Sequence, residues 1–477
     1  MKTIIFSFIA LLVSTLPVSG QKAAQKTVKK APNIILIFAD DLGYGDIGCY
    51  GQEKIETPNL NKLAANGLKF NQFYSGTSVC APSRASLMTG LHTGHTPIRG
   101  NKGTEPEGQT PLPDSSVTFA NLLQSNGYRT AAFGKWGLGY ITTSGDPNKK
   151  GFDFFYGYNC QSLAHDYFPD HVWKNHERID LSVNQKKDSI YSAALIQQQA
   201  LQYIRLSQPG QPFFMFLPYT LPHGDVIVPH DSLYHYYKNK FNEPPLTGNA
   251  LKTRPHNMQP EPYPHAGFAS MVGRLDEYVG EIVKAVQQQG LAENTLIVFS
   301  SDNGPHRENG GDPEYFNSNG IYRGIKRDLY EGGIRVPFIA YWPGKINPAV
   351  TEQPAALWDL YPSFLELAGI EHPKNIDGIS LVPLLTGKGQ QKQHDYFYWE
   401  FHENDGRQAV RWNNWKAIRL QTNKGNQPLE LYDLSADPSE KNNLAGKYPL
   451  IVQRMEAYIN EAHKSNPDWP LLVNEIK

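Results

Sequence analysis

Cysteine is scarce in this chain, with three among 477 residues, at positions 49, 80 and 160. So small and odd a number cannot build a disulfide framework, and the fold must rest on an apolar core. An excess of one charge is also missing. Lys and Arg number 45 against 46 Asp and Glu, a net charge of −1. That excludes a strongly basic nucleic-acid footprint and an acidic solvating tail. After the first twenty residues no apolar run is long enough to cross a bilayer. Internal repeats and low-complexity tracts are absent as well. The length suits one large domain with a smaller companion.

Residues 1–20 hold Lys2, an apolar stretch from Ile4 to Leu16, and the small residues Val18-Ser19-Gly20. This is the pattern of a cleavable signal peptide, so the chain is predicted to be exported, periplasmic or secreted. Gln21 to Lys30 is polar and basic, predicted as a disordered mature N-terminus.

Four short apolar runs follow, each of the kind expected for strands covered on both faces. Asn33 to Ala39 ends in Asp40-Asp41. Tyr128 to Phe133 ends in Gly134-Lys135-Trp136. Pro212 to Pro218 leads to Pro222-His223, and Asn294 to Ser301 ends in Asp302-Asn303-Gly304. Ligands of open α/β sheets bind beyond the carboxyl ends of strands, so these side chains are predicted to meet at one edge. Amphipathic helices are expected at 187–207 and 267–289. Residues 224–264 carry little periodicity and read as a substrate loop or a surface insertion. From about 371 the style changes to short aromatic strands at 396–401, 408–412, 415–420 and 429–434, closed by a helix at 449–464. The expected organisation is an α/β domain over 31–370, a large mostly parallel sheet sandwiched by helices, and a C-terminal subdomain over 371–477 with a small antiparallel sheet.

Between the first two runs lies Ser78-Val79-Cys80-Ala81-Pro82-Ser83-Arg84, continuing to Gly90. It reads as a loop entering a helix, with Pro82 in the first turn and Gly90 as the stop. Cys80 is expected just before the helix N-terminus, where the dipole lowers a thiol pKa. Arg84, one turn on, is expected to reach back toward it. The plain alternative is a buried thiol or a half-cystine. Asp40, Asp41, Asp302 and Asn303 offer hard oxygen ligands without clustered His, which points to Ca²⁺ or Mg²⁺ rather than zinc. Arg84, Lys135 and Lys326 would suit a tetrahedral oxyanion such as sulfate or phosphate, and His223 stands where a leaving oxygen would need a proton.

Cys80-Ala81-Pro82-Ser83-Arg84 resembles the Cys-x-Pro-x-Arg signature of the type I sulfatases, of the alkaline phosphatase superfamily. The resemblance extends through Gly134-Lys135-Trp136, Pro222-His223, Ser301 to Gly304, Lys326 before Glu331-Gly332-Gly333, and Leu431 to Asn443-Leu444. It implies hydrolysis of sulfate esters, with Cys80 converted to formylglycine by a formylglycine-generating or anaerobic sulfatase-maturating enzyme. It implies one Ca²⁺ held by Asp40, Asp41, Asp302, Asn303 and residue 80. Arg84 and Lys135 would steady the nucleophile, and His223 and Lys326 would bind sulfate and assist the leaving alcohol. One position departs from the pattern. Gly137 stands where many members carry His, and His165, His171 and His306 are candidates to replace it.

The substrate implied is a sulfated glycan or small sulfated sugar, of galactose or N-acetylgalactosamine type. His165, Asp166, His402 and Glu403 are candidate sugar contacts, their segments combining aromatic and polar groups as sugar sites do; ordinary packing explains those segments equally well. A phosphodiester or phosphonate monoester hydrolase of the same superfamily, and an inactive glycan-binding homologue, are the competing expectations.

Overall fold

The computed structural model of the chain describes residues 31–247, 261–425 and 427–476. The predicted signal peptide and the polar stretch after it lie outside the described residues. The four apolar runs are the strands Asn33–Ala39, Arg129–Lys135, Phe213–Pro218 and Thr295–Ser301. They lie side by side and parallel, in the order Thr295–Ser301, Asn33–Ala39, Phe213–Pro218, Arg129–Lys135, with Phe154–Tyr158 parallel beyond. Because all point one way, their carboxyl ends open on one edge.

This parallel block is the middle of a ten-stranded sheet. Phe338–Tyr341 and Leu68–Phe70 extend one side and His171–Lys174 and Glu177–Asp180 the other, all through antiparallel pairings. Side chains alternate between two cores. Ile35, Ile37 and Phe299 pack against the helices Ser192–Leu206 and Pro264–Gln288, and Ile34, Leu36 and Phe38 against the Cys80–Thr89 and Leu360–Ala368 helices. Burial of this kind stabilises by about 25 cal/mol per Å² of apolar surface. The expected mostly parallel sheet between helices is therefore the fold adopted.

Among the elements that sequence reading missed are three strands of the large sheet and a helix. Phe154–Tyr158, His171–Lys174 and Glu177–Asp180 are short and lie toward the sheet's edge. Ser232–Phe241 is helical within the stretch read as a loop, and Asp231 caps it by accepting from the N–H of Leu233 and Tyr234. The helix expected from 187 starts at Ser192.

Four antiparallel strands, Phe397–Phe401, Arg407–Trp412, Trp415–Leu420 and Glu430–Asp433, form the small C-terminal sheet, covered by the Pro449–Ala462 helix. A buried ion cluster joins this sheet to the Glu331–Ile334 helix and to Tyr74, beside the large sheet. Glu331, wholly buried, accepts from Lys416 Nζ at 2.9 Å, from the Tyr74 hydroxyl at 2.7 Å and from Arg335 Nη1 at 3.0 Å. Lys416 also pairs with Glu440 at 3.0 Å, and the Glu331 N–H donates to Glu440.

Candidate active site

Asp40 and Asp41 follow the central strand. In a continuing strand two neighbours would face opposite ways. Asp41 instead adopts a left-handed backbone, φ 61°, and both carboxylates are wholly buried at the sheet's edge. The Asp41 N–H donates to Asp302 Oδ1 at 3.1 Å, which binds the end of the first strand to the end of the Thr295–Ser301 strand.

Cys80 is the first residue of its helix, with Val79 as the extended N-cap, and Gly90 ends it at φ 71°. The expected pairing of Arg84 with residue 80 does not form. Arg84 donates through Nε and Nη2 to Asp302 Oδ2, at 3.1 and 2.8 Å, and through Nη1 to the Lys135 carbonyl, with Asp40 3.4 Å away. The thiol likewise runs against expectation. Burial, then the nearby Asp40 carboxylate, push the Cys80 thiol well above its ordinary pKa; its S–H donates to Asp40 Oδ1 at 3.4 Å. The helix dipole is the weaker effect here. Residue 80 as a bare thiol is a poor nucleophile.

Lys135 donates to Asp40 Oδ2 at 2.6 Å. Lys326 donates to Asp41 Oδ2 at 2.8 Å and to Glu308 at 3.0 Å. Burial alone would raise Asp40's carboxyl, but the charges of Lys135 and Arg84 outweigh it and hold Asp40 well below the usual range. Asp302 goes the other way, raised by burial and by Asp40. His223 is pushed well down by burial, then by Lys326 and Lys135, and is neutral. Its Nδ1–H is committed to the Gly224 carbonyl, so Nε2, 3.2 Å from Lys326 Nζ, is an acceptor.

Three buried carboxylates and three buried cations thus meet at residue 80. The set fits a metal ion. Asp40, Asp41, residue 80 and His223 offer ligand atoms within 4.8 Å of one another. Asn303 donates its amide to Asp41 Oδ1 at 2.7 Å while its own Oδ1 is buried without a partner. An unmatched buried carbonyl beside crowded carboxylates calls for a cation, and these carboxylate and carbonyl oxygens suit a hard one. With a divalent ion the balance becomes positive, which suits an anionic ester.

The other expected residues scatter. His165 lies against His223, ring centroids 4.3 Å apart. Asp166 is spent on a turn, accepting from the Phe168 N–H. His402 pairs with Glu400, which also binds His463 and Arg99 under the small sheet. Glu403 reaches the site at one remove: it accepts from the Asn101 N–H, and Asn101 Oδ1 accepts from the Ala81 N–H. Glu308 and Gln161 went unread, since neither belongs to a periodic run or a charged cluster.

Residues 32–370 match the family model described as Sulfatase, and 320–465 match one described as N-sulphoglucosamine sulphohydrolase, C-terminal. The chain is 33% identical over 477 residues to arylsulfatase A of Homo sapiens, covering 91% of this chain and 88% of the relative. It is 32% identical over 486 residues to N-acetylgalactosamine-6-sulfatase of Canis lupus familiaris, covering 91% and 86%. Among solved structures it resembles Ps i-CgsB in complex with k-i-k-neocarrahexaose, with a TM-score of 0.76, 28% identity, and coverage of 93% and 96%.

Proposed function

This chain belongs to the sulfatase family and is a sulfuric ester hydrolase, and on that premise we propose that it removes sulfate from a carbohydrate of galactose or N-acetylgalactosamine type. The observation that carries the reading is the ring of buried Arg84, Lys135 and Lys326 around residue 80, facing Asp40, Asp41 and Asp302. The carbohydrate class is supported by the relatives, one named for N-acetylgalactosamine and one crystallised with a neocarrahexaose.

Cys80 acts after conversion to formylglycine by a maturating enzyme, which supplies a hydrated aldehyde oxygen as nucleophile. The high thiol pKa supports this, since the unmodified residue is a weak one. Asp40, Asp41, Asp302, Asn303 and residue 80 would hold Ca²⁺, whose charge would draw on the sulfate oxygens. Lys135 and Arg84 stand over Asp40 and orient residue 80. Lys326 and His223 receive the sulfate group. Because His223 presents an acceptor nitrogen to Lys326, the proton that leaves with the alcohol comes from the Lys326 ammonium, with His223 passing or orienting it. Prepositioned charge of this kind is worth roughly 10²–10³ in rate per donor. The signal-peptide pattern of residues 1–20 supports export, with the enzyme acting outside the cytoplasm.

The test is sulfate release from a panel of sulfated galactose and N-acetylgalactosamine mono- and disaccharides, alongside matched phosphate esters. The enzyme is made in a host that modifies residue 80, and Cys80→Ala serves as the blank. Release from sulfated sugars that vanishes in the blank is the expected result. Faster cleavage of the phosphate esters would overturn the substrate assignment.

A further inference from the structure

One charged group of the site belongs to none of the sequence motifs. Glu308 follows Asp302-Asn303-Gly304 in a stretch without periodic pattern. Its Oε2 accepts from Lys326 Nζ at 3.0 Å and stands 3.9 Å from His223 Nε2, and its Oε1 pairs with Arg327 at 2.5 Å. A carboxylate oxygen can accept two hydrogen bonds, so each keeps room for one more. Burial differs sharply across the group. The side chains of Lys326 and His223 are 3% and 2% exposed, and that of Glu308 is 26% exposed. Glu308 is thus the outward face of the pair that receives the sulfate group.

This carboxylate is held in place. The Glu308 N–H donates to His306 Nδ1 at 3.0 Å, and the Glu308 carbonyl accepts from the Gly311 N–H at 3.0 Å. His306 Nε2 donates to the Pro222 carbonyl at 3.1 Å. His306, expected as a stand-in for the histidine absent at Gly137, is therefore a strut that ties Glu308 to the Pro222-His223 turn. The next residue repeats the tie, since the Asn309 carbonyl accepts from the Val226 N–H at 3.1 Å. A charged group on braced backbone can discriminate between ligands, which a drifting one cannot. Burial would raise the Glu308 carboxyl, but Lys326 and Arg327 bring it down to about 2, so it is ionised at neutral pH. Neither cation is free to welcome another anion. Lys326 is shared with Asp41, and Arg327 is matched by Glu308 itself and faces Glu403.

An ester that lays its sulfate on Lys326 and His223 therefore sets its own scaffold against an ionised oxygen with an unused lone pair. A hydroxyl at that place gains a charge-assisted hydrogen bond. A second sulfate or a carboxylate there meets a like charge that cannot move away. We infer that Glu308 is a specificity-determining residue, which accepts from a free hydroxyl flanking the sulfate ester and turns away sugars with a second anionic group at that position. The substrate class narrows to sulfated sugars bare of other charge beside the scissile ester. The inference rests on the carbohydrate sulfatase reading above.

The test uses enzyme with formylglycine at 80 confirmed by peptide mass, and starts from a galactose or N-acetylgalactosamine monosulfate that the parent cleaves. The hydroxyls flanking the ester are replaced one at a time by hydrogen or by a second sulfate. For the parent, Glu308→Gln and Glu308→Ala, kcat/KM on each analogue is divided by kcat/KM on the monosulfate. Because Glu308 also anchors Lys326, both variants should lose rate on every substrate, and the ratios cancel that loss. In the parent, one flanking position should cost about 10-fold or more as hydrogen and about 10²-fold or more as sulfate. Glu308→Gln keeps an accepting oxygen without the charge. It should retain most of the first penalty and relax the second by about tenfold or more. Glu308→Ala should erase both. A parent that cleaves the doubly sulfated analogues as readily as the monosulfate, or penalties that persist unchanged in Glu308→Ala, overturns the inference and leaves the carbohydrate reading standing. A parent that cleaves no sulfated sugar overturns that reading and this inference with it.

Discussion

Two clusters of buried charge divide the molecule's electrostatics between them. Around residue 80, Lys135 and Lys326 each hold one of two adjacent carboxylates, and Asn303 is left with an unmatched oxygen. At the junction of the two sheets, Lys416 lies between Glu331 and Glu440, and Arg335 and Tyr74 complete the shell around Glu331. Both are wholly buried and both mix Lys with carboxylates. The difference is closure. The junction satisfies Glu331 from within and keeps Glu440 Oε1, which lacks a hydrogen bond, 3.0 Å from the Lys416 ammonium, whereas the site keeps an Asn303 oxygen with no cation beside it and a partly exposed Glu308 at its mouth. Buried charge is costly to maintain unless paired, so an open cluster in a folded chain marks a place meant to receive something.

Crossed substitutions would break this contrast most severely. Cys80→Ala should lower sulfate release by roughly 10⁴-fold or more and leave the melting temperature unchanged. Glu331→Ala should do the reverse, costing about 3–5 kcal/mol of stability by stranding Lys416 while the folded fraction keeps its kcat. Turnover measured beside calorimetric unfolding checks both, and similar behaviour of the two variants would erase the distinction.

Within the site, Lys326→Ala should reduce kcat by roughly 10²–10³-fold, with a smaller rise in KM. Lysine supplied from the junction cannot compensate, so steady-state kinetics isolate the role.

Divalent cation binding sharpens the contrast further. Dialysis against a chelator should lower the melting temperature and activity together, and Ca²⁺ at a hundred times its Kd should restore about 2.7 kcal/mol. Glu331→Ala should respond to Ca²⁺ as the parent does, whereas Asp302→Ala should lose the response.

The junction has its own pH signature, smaller still. Burial would raise the Glu331 carboxyl, but Lys416, Arg335 and Arg411 overcome it and hold it at about 2. A depressed acid contributes stability above its unfolded value, near 4.5, and loses it as pH falls from there toward 2. Glu440 is raised to about 7 by burial, with Glu331 adding to the rise against Lys416. Its contribution is present below about 4.5 and fades as pH climbs to 7. Glu440→Gln should therefore flatten the stability profile between pH 4.5 and 7, by about 1–2 kcal/mol, and leave the acid limb below 4.5 in place. Chemical unfolding across pH checks it.

Much of this architecture was legible in the residues because the parallel strands are unbroken apolar runs with polar tips. Asp40, Asp41, Lys135, His223, Asp302 and Asn303 could be placed at one edge from that pattern alone. The direction of Arg84 could not, since the choice between residue 80 and the carboxylates depends on helix entry at Cys80 itself. The thiol shift was misjudged because burial and Asp40 act through space, beyond the reach of a local dipole argument. The helix Ser232–Phe241 was hidden by a Tyr- and Lys-rich face, and the edge strands by their brevity. The junction was unreadable: Glu331 meets Lys416 85 positions later and Glu440 109 positions later, and no local pattern announces such pairs.

The left-handed turn at Asp41 has a consequence for how this enzyme can vary. Asp and Asn visit that backbone region more readily than other side chains, and among the two only Asp brings a negative charge. Backbone and metal chemistry therefore select the same residue independently. Glu, which keeps the charge, would fit the turn poorly, and Gly, which fits the turn, would forfeit the ligand. A library randomised at position 41 should return a single functional residue, while one at position 40, just past the strand and without a left-handed backbone, is restricted by its chemistry alone.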